Sequence, residues 1–214
     1  MLASMLPKDH FDDVKSKIRI VAHKDFTAQM WSSLALAHIE ALPRTINSIA
    51  GERHLKQLYK ITNECAFGET MALTIDDELA AVLTISLDND KFPRDLIFQS
   101  AKSLVISFPK ISLQEYLNLI IDLMQVNNYY RKQHSNSIKI LTLFVLPKYR
   151  KMGLASTILQ YGLNPSLHAE SNSVLVDVNK DSTAAIKTYS NFGFTKSYET
   201  RKSVIMKKNL SGFN

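Results

Sequence analysis

Cysteine is nearly missing from this chain of 214 residues, where Cys65 is the only one. One thiol excludes an internal disulfide framework and a cysteine-rich metal site, and it points to a reducing compartment. Long apolar runs are missing too: none reaches the ~20 residues that a membrane span needs. The opening stretch MLASMLPKDHFDD has a short apolar start but no basic segment of the kind that heads a secretory signal. The expectation from these absences is a cytoplasmic protein with no membrane partner. There is no G-x-x-x-x-G-K-[ST] and no G-x-G-x-x-G, which excludes the common nucleotide loops. His38, His54 and His134 stand apart without metal-ligand spacing, so they read as core or surface histidines and no metal is expected. Internal repeats and low-complexity linkers are lacking as well, which leaves residues 1–214 as a single domain.

With 45% apolar residues the chain can build one real core. Its charge is unevenly spread. Residues 1–138 hold 15 Lys+Arg against 16 Asp+Glu, while residues 139–214 hold 11 against 4, so the whole formal +6 arises in the second part. Such a surplus suits a ligand with several phosphates. Nucleic acid is not expected as a partner, because the cations are scattered and no zinc-finger, RRM or basic-zipper pattern is present.

One stretch within that basic part carries chemistry. Residues 138–145 (IKILTLFV) are short, β-branched and aromatic, and Pro147 stops them, so they read as a buried strand. After Val145-Leu-Pro147-Lys-Tyr-Arg150-Lys-Met-Gly153-Leu-Ala155, the apolar residues Ile158, Leu159 and Leu163 recur at helical spacing. Gly153 sits where a tight strand-to-helix turn needs a residue without Cβ. The first amides of such a helix have no internal partner and bind phosphate well, with Arg150 and Lys151 adding charge beside them. Arg150 and Lys151 can equally be solvated surface charges. A second β run covers residues 173–178, followed by a helix from Asp181 through Tyr189, with a Ser/Asp start and Gly193 just past its end.

These two blocks, in this order and spacing, resemble the GCN5-related N-acetyltransferase (GNAT) family. There V-x-P-x-x-[RQ]-x-x-G-x-[GA] binds the acetyl-CoA pyrophosphate, and a second block, roughly N-x-x-A-x-x-x-Y-x-x-x-G-F, brings the acid that protonates the departing thiolate. The resemblance covers residues 138 to about 208. It implies an α/β fold with a mixed, mostly antiparallel central sheet flanked by helices, acetyl-CoA as co-substrate, no metal, and a small-molecule amine as acceptor, an amino sugar or biosynthetic intermediate being the guess the family weights. Carried over by position, Arg150, Lys151, Met152, Gly153, Leu154 and Ala155 offer amides to the pyrophosphate, and Leu143, Phe144 and Val145 lie along the pantetheine arm. Tyr189 falls on the acid position, and a phenol holds its proton at neutral pH. A core tyrosine is the plainer reading of that residue. Ser182 falls where Asn is commoner.

Many members of the family place a Glu on the motif strand as base; here Lys139, Leu141 and Thr142 occupy that neighbourhood. The base is left open among Asp177, His134, Glu40 and Glu69. The mechanism implied is direct transfer, with the acetyl carbonyl polarised by a strand amide near Val145; a covalent relay through Cys65 competes with it. A non-catalytic acyl-CoA-binding module and a protein N-acetyltransferase are the alternative functions.

Residues 15–137 read as the acceptor-side half and residues 138–208 as the acetyl-CoA-binding half. The first contains a strand over 18–22, a helix over 26–41 ended by Pro43, a helix over about 49–63, and a hairpin of 69–75 and 79–86 turning at Asp76-Asp77-Glu78. The segment from Leu42-Pro43 to Leu58-Tyr59 loosely resembles a variant in members tied to modified-sugar and secondary-metabolite biosynthesis. Residues 92–134 form a helical insertion, with helices over 96–108 and 113–126 and a Ser112-Leu-Gln-Glu115 capping box. It can cover the acceptor site or form a homodimer surface. If the loop Asn127-Asn128-Tyr129-Tyr130-Arg131 reaches the cleft, Tyr129 or Tyr130 touches the acceptor.

Overall fold

The computed structural model of the protein describes residues 18–43, 45–64, 68–87, 121, 124–126, 128–129, 137–164, 168 and 171–210. Cys65, Tyr130, Arg131, His134, the helix expected over 96–108 and most of that over 113–126 lie outside them. In chain order the elements are β1 (Ile18–Ala22), α1 (Ala28–Ala41), α2 (Ile46–Ala50), α3 (Glu52–Glu64), β2 (Gly68–Ile75), β3 (Glu78–Ser86), β4 (Ser137–Val145), α4 (Leu154–Gly162), β5 (Ser173–Asn179), α5 (Thr183–Asn191), β6 (Thr195–Glu199) and β7 (Ser203–Asn209). The seven strands form one sheet in the order β1-β2-β3-β4-β5-β7-β6. Every neighbouring pair is antiparallel except β4 and β5, which the crossover helix α4 makes parallel.

Local chemistry sets most boundaries. Thr27 caps α1 by accepting from the Met30 amide at 3.2 Å, so the helix starts at Ala28 and not at Phe26. The helix expected over 49–63 is two helices. Gly51 stands between them at φ +97°, a conformation that breaks the run and that a side chain would resist. The polar residues just before that break serve the turn: the Ser48 hydroxyl donates to the Leu42 carbonyl at 2.7 Å, and Thr45 caps α2. The β2–β3 hairpin closes on Asp76 and Asp77, at φ +50° and +66°, a two-residue turn of the primed kind; Glu78 opens β3 and does not belong to the turn.

The sheet is covered on both faces. Helices α4 and α5 pack one face, where Leu83, Ile85, Ile138, Ile140, Val176 and Ile158 are buried together. On the other face α1 and α3 cover β3 and β4 through Leu34, Leu55, Tyr59, Val82 and Phe144. A smaller cluster of Val126, Leu175 and Ile205, with Tyr129 against it, covers β5 and β7 on that same side.

Two irregularities position the site. First, β4 and β5 pair only from Ser137 opposite Ser173 to Ile140 opposite Val176, and then diverge although both strands continue. Second, β4 carries a bulge against β3 between Ile140 and Thr142. The extra residue reverses the alternation. Before it, Ile138 and Ile140 face α4; after it, Leu143 and Val145 do, and Phe144 turns to α1.

Candidate active site

The fork between β4 and β5 opens onto the loop that precedes α4. Pro147–Tyr149 form a single 3-10 turn, and the chain then passes through Lys151 at φ +66° and Gly153 at φ +75°, ψ 0° before α4 begins at Leu154. Among the described residues the amides of Lys151, Met152 and Gly153 donate to no backbone carbonyl, and the first-turn amides of Leu154 and Ala155 have no intrahelical acceptor. A Cβ built on Gly153 meets nothing within 4 Å, so the requirement for glycine is the left-handed backbone, and the space above it has room for a ligand group. Amides left over behind a left-handed glycine suit an anionic group such as a pyrophosphate in their chemistry.

The loop is clamped from outside. The Glu78 carboxylate accepts the Tyr149 hydroxyl at 2.8 Å and pairs with the Lys148 ammonium through the same oxygen, which holds its own pKa below the usual carboxylate range. Arg150 differs from expectation. Its amide is taken by the Pro147 carbonyl at 3.3 Å, and its guanidinium donates to the carbonyls of Ala41 at 2.9 Å and Val145 at 3.3 Å. Arg150 therefore ties the end of α1 to the loop, and Lys151, exposed at the turn, is the cation beside the amides. Glu78 and the Ala41 carbonyl were invisible in the sequence: they come from 70 and 109 positions away, with no motif to link them.

Along β4 the expected pantetheine residues split. Leu143 and Val145 are half-buried against the α4 side, whereas the Phe144 ring is core, set edgewise on His38 at 5.4 Å. Phe144 can border the fork only through its backbone. Met152 leans on the same core as Leu143, Leu154 is buried and Ala155 half-buried.

Tyr189 lies on α5, over the α4-side face, with its ring edgewise to Phe194 at 5.3 Å. It is 5% exposed, so the core reading is right for the ring. Burial alone pushes its phenol well above the ordinary value, so it stays protonated through the neutral range. The helix end beneath it is fixed by the Tyr189 carbonyl, which accepts from the amides of Phe192 and Phe194 at 3.0 Å each, and by Lys208, which donates to the Phe192 carbonyl at 2.8 Å. Ser182 is the N-cap residue of α5, yet its hydroxyl caps no amide. It sits seven residues before Tyr189, two turns earlier on the same side of the helix.

The opposite face carries a different set. Nδ1 of His38 lies 2.7 Å from the Tyr59 hydroxyl, which is also hydrogen-bonded to the Thr142 side chain on β4. Burial, with His54 as a second cause, lowers the His38 pKa to about 4. Both histidines are buried core residues, as expected. Tyr129 stacks on Tyr198 of β6 at 4.7 Å and 12° and hydrogen-bonds to Ser197. Of the base candidates, Glu40 is exposed on α1, Glu69 stands opposite Ile85 on the α4 side, and Asp177 lies one residue past the last β4–β5 pair. The C-terminal hairpin of β6 and β7, which completes this side, was not anticipated: β6 is exposed at every residue and offers no alternation to read.

This mixed, mostly antiparallel seven-stranded sheet with one parallel pair is shared by solved structures of N-acetyltransferases. The ribosomal-protein-S18-alanine N-acetyltransferase from Escherichia coli superimposes with a TM-score of 0.54 at 13% identity, over 92% of this chain and 96% of that one. The PaiA N-acetyltransferase from Thermoplasma acidophilum, solved with coenzyme A, gives 0.57 at 12%, over 89% and 99%. NAA60 of Arabidopsis thaliana, solved with acetyl-CoA, gives 0.56 at 16%, over 91% and 99%. At these identities the likeness establishes the fold. No curated protein sequence matches the chain. Residues 112–194 match the model of the Acetyltransferase (GNAT) family.

Proposed function

We propose that the protein is an acetyl-CoA-dependent N-acetyltransferase acting on the amine of a small molecule in the cytoplasm. The observation that carries this reading is the fork itself: diverging strands, a row of amides behind a left-handed Gly153, and a buried phenol on the helix that follows. Bound there, acetyl-CoA supplies a thioester as activated acetyl donor. The amides of residues 151–155 hold the pyrophosphate, Lys151 adds a charge, and the backbone edges of Leu143, Phe144 and Val145 orient the pantetheine arm. Ser182 offers a hydroxyl to the same arm. A strand amide near Val145 polarises the acetyl carbonyl, and Tyr189 holds the proton that the leaving sulfur needs.

No metal is proposed; among the described residues no group of three or more His, Cys, Asp or Glu is placed to hold one. Among those residues no helix is long and apolar enough to cross a membrane. The direct test is thiol release from acetyl-CoA with a panel of small amines, run beside calorimetric titration with CoA. Turnover with at least one small amine is expected. Binding without turnover on any amine would make the protein an acyl-CoA-binding module, and acetylation of peptide N-termini alone would make it a protein acetyltransferase.

A further inference from the structure

The two faces of the fork carry different chemistry. Tyr189 and the apolar residues Ile138, Ile140, Val176 and Val178 belong to the α4–α5 face. Lys139 and Asp177 alternate with those residues along β4 and β5, so both belong to the other face, between the α1–α3 cover and the Val126–Leu175–Ile205 cluster. Lys139 stands opposite Leu175, in the last pairing but one before the strands part; Asp177 is two residues further along β5, just after they part. That diagonal spans about 8 Å of backbone, which a lysine stem crosses. The two charges do act on one another: Asp177 raises the Lys139 pKa, while burial, the larger cause, brings it down to about 8. An acceptor meeting a thioester in the fork from the side away from Tyr189 meets this pair.

We propose that Lys139 takes the proton from the acceptor's ammonium group, with Asp177 as the positioning residue that holds the lysine at the fork. This rests on the acetyltransferase reading above. In the step, the acceptor ammonium gives one proton to the neutral Lys139 amine. The nitrogen lone pair then forms the N–C bond to the acetyl carbon, and the C–S bond breaks with its electron pair on sulfur. Tyr189 protonates that sulfur and is reprotonated, through solvent, by the second proton that the new amide nitrogen sheds. Lys139 returns its own proton to solvent. The net products are the amide, CoA thiol and one proton. A lysine suits this role because its neutral form is a stronger base than a carboxylate and burial makes that form accessible near neutral pH. Among the described residues, the other titratable groups on this face include Tyr198 on β6 with Tyr129 stacked on it, Lys207 on β7 opposite Leu175, and the His38–Tyr59 pair that reaches β4 through Thr142, with His54 beside His38.

The test uses the full chain, acetyl-CoA and whichever amine of the panel the wild type acetylates. Lys139→Met should lower kcat by roughly 10²-fold with CoA affinity unchanged. Lys139→Arg should be equally slow, because a guanidinium keeps the charge but cannot give up its proton. Asp177→Asn should keep turnover but move the rise of kcat/KM to lower pH, since the neighbour that holds the lysine protonated is gone. If the methionine variant does not fold, the arginine variant decides. An arginine variant close to wild-type turnover would overturn the proton-acceptor role, and an unmoved pH profile in Asp177→Asn would overturn the role of that residue. If the wild type binds CoA but acetylates no amine, the acetyltransferase reading itself fails and takes this one with it.

Discussion

The α1–α3 side of the sheet and the loop at the fork use their polar groups in different ways. Around β1–β3 and α1–α3 they are turned on one another: Thr142 to Tyr59 to His38, Asn47 to His54 at 3.2 Å, Ser48 to the Leu42 carbonyl. Each pairing satisfies a group that burial would otherwise make costly. Around the fork, among the described residues, the amides of residues 151–153 donate to no backbone carbonyl, the first-turn amides of Leu154 and Ala155 have no intrahelical acceptor, and the exposed Ser182 hydroxyl caps no amide. The difference teaches how the proposed coenzyme site stands apart: the polar groups around α1–α3 close on one another, and those at the fork are left for the ligand that the proposal assigns.

Four experiments break or sharpen that contrast, the largest effect first. Gly153→Val should reduce CoA affinity by at least ~100-fold, because the left-handed turn that aims the amides cannot be kept by a β-branched residue. The new side chain meets no neighbour, so the cost to stability is confined to backbone strain at that one turn. Calorimetry on the folded variant reads this, and unchanged affinity would remove the presented amides from the account.

On the internal side, His38 should make the protein acid-sensitive. Its pKa in the fold is about 4, against an ordinary value of 6.5. Between those values the unfolded chain binds the proton and the fold does not. Stability is therefore fully present above pH 6.5 and is lost as pH falls to about 4, by about 3 kcal/mol. Denaturant unfolding at pH 7 and pH 4 measures the loss, and His38→Gln should flatten it.

Tyr189→Phe keeps the ring and its contact with Phe194 but removes the proton. The chemical step should slow by roughly 10²-fold, with melting temperature and acceptor binding nearly unchanged. A lowered melting temperature with full turnover would assign the hydroxyl to the fold instead. The smallest effect separates the two cations. Lys151→Ala should lessen the salt dependence of CoA affinity. Arg150→Ala should leave that dependence nearly intact and cost about 1 kcal/mol of stability, through its carbonyl contacts to Ala41 and Val145.

The binding side of the fork was legible because its signals are local. Pro147, Gly153, the helical spacing of Ile158 and Leu159, and Gly193 after α5 each act within a few residues, and the structure places a turn, a helix or a helix end at each. The strands β1 to β5 were likewise readable from short β-branched runs. What escaped is what depends on distant partners. The bulge in β4 decides that Phe144 is core and that Leu143 borders the fork, yet it exists only against β3. Glu78 read as a turn residue until its partners Lys148 and Tyr149 arrived from across the sheet. Arg150 read as a phosphate-side charge because nothing near it in sequence announces the Ala41 carbonyl. Two misses were local, with causes in plain view: Gly51 splits the second helix, and the Thr27 cap starts α1 at Ala28.

The claim that the presented amides are a coenzyme site can be tested without knowing the acceptor. Titration of the protein with CoA, followed residue by residue through backbone amide resonances, should give its largest shifts at residues 151–155, with further shifts along residues 143–145 and at Ser182, and little change around His38 and Tyr59. Shifts centred elsewhere, such as the groove lined by Arg19, Asp25, Thr27 and Asp77 at the far edge of the sheet, or no saturable shift at all, would contradict it.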